Sequence, residues 1–295
     1  MYDIDQLYEK VEYERWILDK ISNLFSQQID DGPQLVKFNT IDEGTFNHFL
    51  RVSDSLLTHY KIDTYIELSP LLFVNSFKTI DMIVEWILES NNVVINSQST
   101  YLYKIKEFKK ILNKKNSALP LEVQNKSVYL ILITLYENLR IYRNKVIHAS
   151  WGKNVQGNLN FEKTKGCLKN QILQFNTIIN LAKLLTTLLS IFVEKENKGF
   201  MINNLKYLSD KVFELHKIQK FHITTPPVYY KVECTLNSKD DVIDLVKIFD
   251  HLSVSTLNRP FSFSLILLYK DQEKFFSSDT INKLINEKVE FLTLN

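Results

Sequence analysis

An arginine, an asparagine and a histidine are closely spaced in the segment RNKVIH, at residues 143–148. The guanidinium of Arg143 is a permanent, forked cation that matches phosphate oxygens, and the imidazole of His148 can take up a proton near neutral pH. Together they suit RNA cleavage, in which a base removes the proton of a ribose 2′-hydroxyl and a cation stabilises the charge that develops on the phosphate. We therefore predict that Arg143 and His148 are catalytic, with Asn144 orienting the imidazole or holding the substrate. This chemistry requires no metal and no cofactor, and we expect neither.

The segment lies near the end of a helical stretch whose two faces differ. At about 100° per residue, one apolar stripe faces a core. Its members are Leu132, Leu135, Leu139, Tyr142 and Val146. His148 points away from that stripe and continues a polar ridge with Glu137, Arg140 and Asn144. Arg143 lies at the edge of the stripe, within reach of the ridge. Leu130 and Ile141 flank the ridge, which indicates that this face also meets a surface, such as another subunit.

Positive charge is concentrated around the segment. Residues 104–169 carry 14 basic and 4 acidic side chains, a net charge of +10, whereas residues 1–103 carry 7 basic and 16 acidic ones, a net charge of −9. The lysines and arginine that could form a phosphate-attracting surface are Lys104, Lys106, Lys109, Lys110, Lys114, Lys115, Arg140, Lys145, Lys153, Lys163, Lys165 and Lys169. From this set we predict Arg140, Lys145 and Lys153 as substrate-binding residues.

Two further residues complete the predicted site. Glu137 is expected to position Arg140, and Trp151 to stack a base. Gly157-Asn158 predicts a short hairpin after Trp151, close to His148, which would act as a flap over the site.

Each of these features also has a purely structural interpretation. Cations are favoured at a helix C-terminus by the helix dipole, and runs of charge are common on solvated faces. A tryptophan after a helix often covers the end of a core. The dipole accounts for the charges of Arg143 and His148, but it gives no reason for Asn144 between them.

The segment RNKVIH resembles the motif of the HEPN superfamily ribonucleases, an Arg followed by Asn, His or Asp and then by a His four to six residues after the Arg. The resemblance covers a short stretch and implies a helical bundle, RNA as the partner, and cleavage by 2′-hydroxyl attack to leave a 2′,3′-cyclic phosphate. It implies the catalytic roles of Arg143 and His148, and a homodimer through the helix that carries them. It also implies a bacterial toxin–antitoxin, abortive-infection or antiviral defence role.

Composition predicts a folded protein with two domains. The chain has 295 residues, of which 45% are hydrophobic and 24% charged, with six glycines and six prolines. Two cysteines are too few for a disulfide framework, and the acidic N-terminus lacks the features of a signal peptide, so we expect a cytoplasmic protein. The apolar stretch at 178–193 is interrupted by polar residues and predicts a buried helix, not a membrane span.

Periodicity predicts a mainly α fold, in which a HEPN-like helical domain at 1–198 and a connecting helix at 199–220 precede a small α/β domain at 221–295. Helices are predicted at 3–27, 44–61, 70–90, 101–115, 122–150, 170–196, 201–220 and 279–287, and strands at 228–236, 261–269 and 289–294. A further helix with Ser238 as its N-cap is predicted between the first two strands. This chain is larger than a minimal HEPN toxin, which suggests that the second domain senses a trigger, binds an antitoxin or recognises a particular RNA.

Two other functions are compatible with the sequence. The first is a catalytically silent HEPN-like module that binds RNA, a nucleotide or a partner. The second is a helical scaffold whose basic segment binds a membrane or an acidic protein.

Overall fold

The computed structural model describes residues 3–26, 34–39, 45–49, 58–113, 120–148, 151–161, 172–193, 197–213, 221–257 and 259–294. The helices are α1 Ile4–Ser26, α2 Thr58–Ser90, α3 Tyr101–Asn113, α4 Leu121–Gln124, α5 Lys126–Ile147, α6 Phe175–Val193, α7 Lys198–Phe213, α8 Leu245–Ser255 and α9 Ser278–Asn286. The strands are β1 Gln34–Asn39, β2 Thr45–Phe49, β3 Trp151–Lys153, β4 Leu159–Phe161, β5 Ile172–Leu173, β6 Val228–Thr235, β7 Ile243–Asp244, β8 Phe261–Tyr269, β9 Gln272–Phe276 and β10 Phe291–Leu292. The predicted mainly α class is confirmed.

The chain forms two compact units, and each unit is built from three segments that are separate in the sequence. One unit comprises residues 1–25, 54–193 and 208–222, and the other comprises residues 26–53, 194–207 and 223–295. The second unit therefore takes a segment from the first fifty residues, where the sequence predicts a single helical domain up to residue 198. We call these the helical unit and the α/β unit.

The core of the helical unit lies where α2 packs against α5 and against α6. The apolar stripe predicted for α5 is buried at Leu132, Leu135, Leu139 and Tyr142. Helix α6 is the one helix in the described parts of the chain that is long and apolar enough to cross a membrane, and most of its apolar stretch is buried inside the protein. It is therefore a core helix, as predicted.

Three predicted helix boundaries in the helical unit are wrong. The helix predicted at 170–196 begins only at Phe175, after strand β5. Pro70 lies inside α2 instead of opening it, because α2 begins at Thr58. The single helix predicted at 122–150 is interrupted at Asn125, whose side chain accepts a hydrogen bond from the backbone N–H of Ser127 at 3.0 Å and so caps the start of α5. The last described helical residue of α5 is Ile147.

The α/β unit contains a five-stranded sheet in the order β2-β1-β6-β8-β9. Strand β6 is parallel to both β1 and β8, while β2 and β9 pair antiparallel with their neighbours. The strands predicted at 228–236 and 261–269 are confirmed as β6 and β8. The helix predicted at 44–61 is wrong over 45–49, which form β2, and residues 50–57 lie outside the described part of the chain.

The remaining predictions in this unit are partly correct. The strand predicted at 289–294 is reduced to β10, which pairs with β7 in a separate two-stranded sheet. Strand β9 was not predicted. Helix α8 begins at Leu245 with Asp244 as its N-cap, because the carboxylate of Asp244 accepts a hydrogen bond from the backbone N–H of Lys247 at 2.9 Å. Ser238 is therefore not the N-cap.

Candidate functional site

The candidate site lies at the C-terminal end of α5, which carries Arg143, Asn144 and His148 on its last two turns. His148 is the C-cap residue, and its backbone N–H donates to the carbonyl of Asn144 at 3.0 Å. The side chain of His148 is exposed, whereas Arg143 and Asn144 are half-buried. The fold therefore presents the imidazole to solvent and holds the guanidinium within the protein surface.

The contacts of Arg143 are with uncharged groups. Its Nη1 donates to Oδ1 of Asn144 at 3.3 Å, and its Cζ lies 5.1 Å from the centroid of the Tyr101 ring. Within the described part of the chain, no carboxylate forms an ion pair with Arg143. A half-buried cation without a counter-ion is unfavourable unless an anion binds to it. Arg143 is therefore placed to receive an anionic ligand.

Several lysines around Arg143 have carboxylate partners. The ammonium of Lys104 is 2.7 Å from Asp81 and 2.6 Å from Glu85, and its side chain is only 6% exposed. On the same helix, Lys109 pairs with Glu137 and Lys110 pairs with Glu107. The prediction that Lys104 contributes to a phosphate-attracting surface is therefore wrong, because Lys104 is a buried partner of two carboxylates.

Several other members of the predicted basic surface are only partly described. Lys106 is exposed on α3. Lys114, Lys115, Lys163, Lys165 and Lys169 lie outside the described residues.

The predicted substrate-binding lysines are less accessible than the sequence suggests. Lys145 is 8% exposed, so little of its surface is open to a ligand in a single chain. Lys153 on β3 lies 2.5 Å from a carboxylate oxygen of Glu67 on α2. Both placements follow from the way α5 and β3 pack on the rest of the helical unit, which the linear sequence does not reveal.

The two predicted auxiliary residues have structural contacts. The carboxylate of Glu137 pairs with Lys109, and no described ion pair joins it to Arg140, which is half-buried. The indole N–H of Trp151 donates to the carbonyl of Val146 at 2.9 Å and so satisfies one of the carbonyls left open at the end of α5. This contact gives Trp151 a structural role at the end of α5.

A charged and aromatic cluster lies between α2, α3 and α5, next to Arg143. The hydroxyl of Tyr136 donates to the carboxylate of Asp81, which also accepts from Lys104. Burial and the nearby charge of Asp81 raise the pKa of Tyr136 and of Tyr101. Burial alone would raise the pKa of Glu85, but its hydrogen bond and charge interaction with Lys104 outweigh burial and lower that pKa. The cluster therefore joins the ammonium of Lys104 to two carboxylates and places two phenols with raised pKa values beside them.

The predicted hairpin is present, with β3 and β4 pairing antiparallel. Gly157 adopts a φ of 77°, which a glycine accommodates without strain. The hydroxyl of Ser69 donates to the carbonyl of Gly157 at 3.0 Å, and the side chain of Asn158 accepts from the backbone N–H of Phe175 at 2.9 Å. These bonds tie the hairpin to α2 and to the start of α6, an arrangement unlike that of a free flap.

Sequence reasoning missed Tyr101, whose ring lies 5.1 Å from Cζ of Arg143, measured to the ring centroid. Tyr101 is the first residue of α3, and no local motif marks it. Its role depends on the packing of α3 against α5. In contrast, no described hydrogen bond joins Arg143 to His148, although the motif predicts that the two act together.

Comparisons with protein families, with characterised proteins and with solved structures found no match to this chain.

Proposed function

We propose that this protein is an endoribonuclease that cleaves RNA by attack of a ribose 2′-hydroxyl on the adjacent phosphate, without a metal ion. The observation that carries the proposal is the state of Arg143, a half-buried guanidinium whose described contacts are all with neutral groups. Such a cation is available to stabilise the charge that develops on a phosphate during cleavage. The exposed imidazole of His148, at the end of the same helix, supplies the base.

The resemblance of RNKVIH to the HEPN motif leads us to propose two further properties. The protein acts as a homodimer in which two copies of α5 contribute to one cleft, so that His148 of one chain lies near Arg143 of the other. This pairing would account for the absence of a hydrogen bond between Arg143 and His148 within a single chain. The resemblance also favours a toxin or antiphage defence effector, with the α/β unit responding to a trigger or an antitoxin.

A direct test is to incubate wild-type protein and single variants with a mixed pool of tRNA, rRNA and mRNA in EDTA and to map the new ends. We expect wild type to leave 2′,3′-cyclic phosphates, and Arg143→Ala and His148→Ala each to abolish cleavage while leaving the fold intact. Arg15→Ala and His251→Ala are matched controls. Arg15 also lies over a tyrosine ring, 4.7 Å from the centroid of Tyr8, but on α1. Both controls should cleave like wild type.

The dimer is tested by sedimentation and by mixing. Arg143→Ala and His148→Ala are each expected to be inactive alone, and a mixture of the two should recover activity if each chain donates one residue to a shared cleft. Cleavage by both single variants at the wild-type rate would contradict the proposal.

A catalytically silent RNA-binding module is the second candidate. The observation that favours it is that no described hydrogen bond joins Arg143 to His148, because a guanidinium that is not paired with a base can bind a phosphate without cleaving RNA. Salt-sensitive RNA binding by wild type, with no cleavage under any condition tested, would identify this function instead.

A further inference from the structure

The ring of Tyr101 is itself held firmly, which makes it suited to orient another group. It packs edge-on against Phe77, with centroids 5.4 Å apart, and edge-on against Tyr136, with centroids 5.9 Å apart. Both neighbours are almost completely buried. Aromatic pairs in these arrangements have preferred geometries, so the orientation of the Tyr101 ring is fixed by the core of the helical unit.

Two cations lie over this ring, but only one has a charge that is not already compensated. The ammonium of Lys104 is 5.2 Å from the ring centroid and forms ion pairs with Asp81 and Glu85. The guanidinium of Arg143 is 5.1 Å from the centroid and has no described carboxylate partner. Arg143 is therefore the cation beside this ring that remains available for an external anion.

The attraction between Arg143 and Tyr101 depends on the face of the ring. Burial and the charge of Asp81 raise the pKa of the Tyr101 phenol, so the hydroxyl stays protonated near neutral pH. A neutral ring attracts a cation through its quadrupole, and this contact requires none of the N–H donors of the guanidinium. Of the described contacts of Arg143, only the one to Asn144 uses an N–H, which leaves donors for a phosphate.

We propose that Tyr101 is the positioning residue of the candidate site, whose ring holds the guanidinium of Arg143 where the phosphate of RNA binds. The proposal rests on the proposed ribonuclease function for its consequence, but the positioning itself can be measured without any activity. Tyr101 does not touch the substrate in this scheme and acts only through Arg143.

The positioning is tested by NMR of protein labelled with ¹³C and ¹⁵N in its arginines. The Nε–Hε resonance of Arg143, assigned by its loss in Arg143→Lys, is expected to be shifted upfield because the proton lies over an aromatic face. The shift should persist in Tyr101→Phe and disappear in Tyr101→Leu. An unchanged resonance in Tyr101→Leu would overturn the proposal. Thermal unfolding establishes that each variant is folded.

The consequence for cleavage is tested with the same variants. Since a cation–π contact contributes about 0.5–2 kcal/mol, we expect Tyr101→Leu to lower kcat/KM by roughly 2- to 30-fold. Tyr101→Phe should remain close to wild type, and Tyr8→Leu, which removes the ring under Arg15, is the matched control that should leave cleavage unchanged. An equal loss in Tyr101→Phe and Tyr101→Leu would overturn the proposal, because it would assign the effect to the hydroxyl.

The two measurements separate this proposal from the proposed function. If the NMR shift is lost in Tyr101→Leu but wild type cleaves no RNA, the positioning stands and the ribonuclease function is refuted. If wild type cleaves RNA and the resonance of Arg143 is the same in every variant, the ribonuclease stands and the positioning role is refuted.

Discussion

Replacement of Lys104 by methionine tests whether this lysine is a buried ion-pair partner or part of an RNA-binding surface. Methionine keeps an unbranched apolar stem of similar length but removes the ammonium. Asp81 and Glu85 would then face each other without the cation that lies within 2.7 Å of both. We therefore expect Lys104→Met to destabilise the helical unit.

The magnitude follows from the burial of the three side chains. Removing one partner of a fully buried ion pair costs about 3–5 kcal/mol of unfolding free energy. Asp81 and Glu85 remain 18% and 21% exposed, so water would partly solvate the carboxylates that are left. Lys10 also lies 3.2 Å from Glu85 and would compensate part of the charge. We therefore expect Lys104→Met to lower the free energy of unfolding by about 2–4 kcal/mol, somewhat less than for a fully buried pair.

The loss should depend on pH in a defined direction. The folded-state pKa of Glu85 is lowered from 4.5, so its contribution to stability is present above pH 4.5 and is lost as the pH falls through the lower folded value. The pKa of Lys104 is raised from 10.5, so its contribution is present below pH 10.5 and is lost as the pH rises through the higher folded value. The difference in unfolding free energy between wild type and Lys104→Met should therefore be largest near neutral pH and should become smaller at low and at high pH.

Urea unfolding followed by circular dichroism, at several pH values, measures this difference. The control is Lys106→Met, an exposed lysine two residues further along α3, which should change stability by less than about 0.5 kcal/mol. RNA binding measured on the same proteins completes the comparison. Equal stability of Lys104→Met and wild type, together with weaker RNA binding by Lys104→Met, would refute the structural assignment.

Three further predictions concern hydrogen bonds around the site, each measured by urea unfolding. Trp151→Phe removes the N–H that donates to the carbonyl of Val146 and should lower the free energy of unfolding by about 1 kcal/mol; an unchanged free energy of unfolding would contradict the structural role of this hydrogen bond. Ser69→Ala leaves the buried carbonyl of Gly157 without its described donor and should cost about 1–2 kcal/mol, with faster amide exchange in the hairpin; unchanged exchange would count against the tether. Tyr136→Phe removes the hydrogen bond to the carboxylate of Asp81 and should lower the free energy of unfolding by about 1.5–3 kcal/mol. An unchanged free energy of unfolding would show that this hydrogen bond does not stabilise the protein.

Local patterns in the sequence were sufficient for most of the helical unit. The spacing of Leu132, Leu135, Leu139 and Tyr142 defines one face of a helix, and that face is buried. The strands β6 and β8 could also be predicted, because each is a run of residues with high strand propensity between turn signals. In these cases the interactions that fix the element lie within one or two turns, or within one strand.

Elements fixed by distant partners could not be predicted. Strand β1 pairs with β6, which lies almost two hundred residues later in the sequence, and the short segment at 45–49 forms a strand because β1 is beside it. Likewise, Pro70 remains inside α2, although a proline alone favours a helix start.

For the candidate site, the order of residues along α5 is enough to bring Arg143, Asn144 and His148 together, because helical periodicity places them at its C-terminal end. Which of the charges are compensated depends on contacts between helices. Lys104 lies between two carboxylates of α2, and Arg143 lies over the ring of Tyr101, because ion pairs and cation–π contacts form between helices that are distant in sequence. The charge available to a ligand thus depends on packing between helices, which no local pattern specifies.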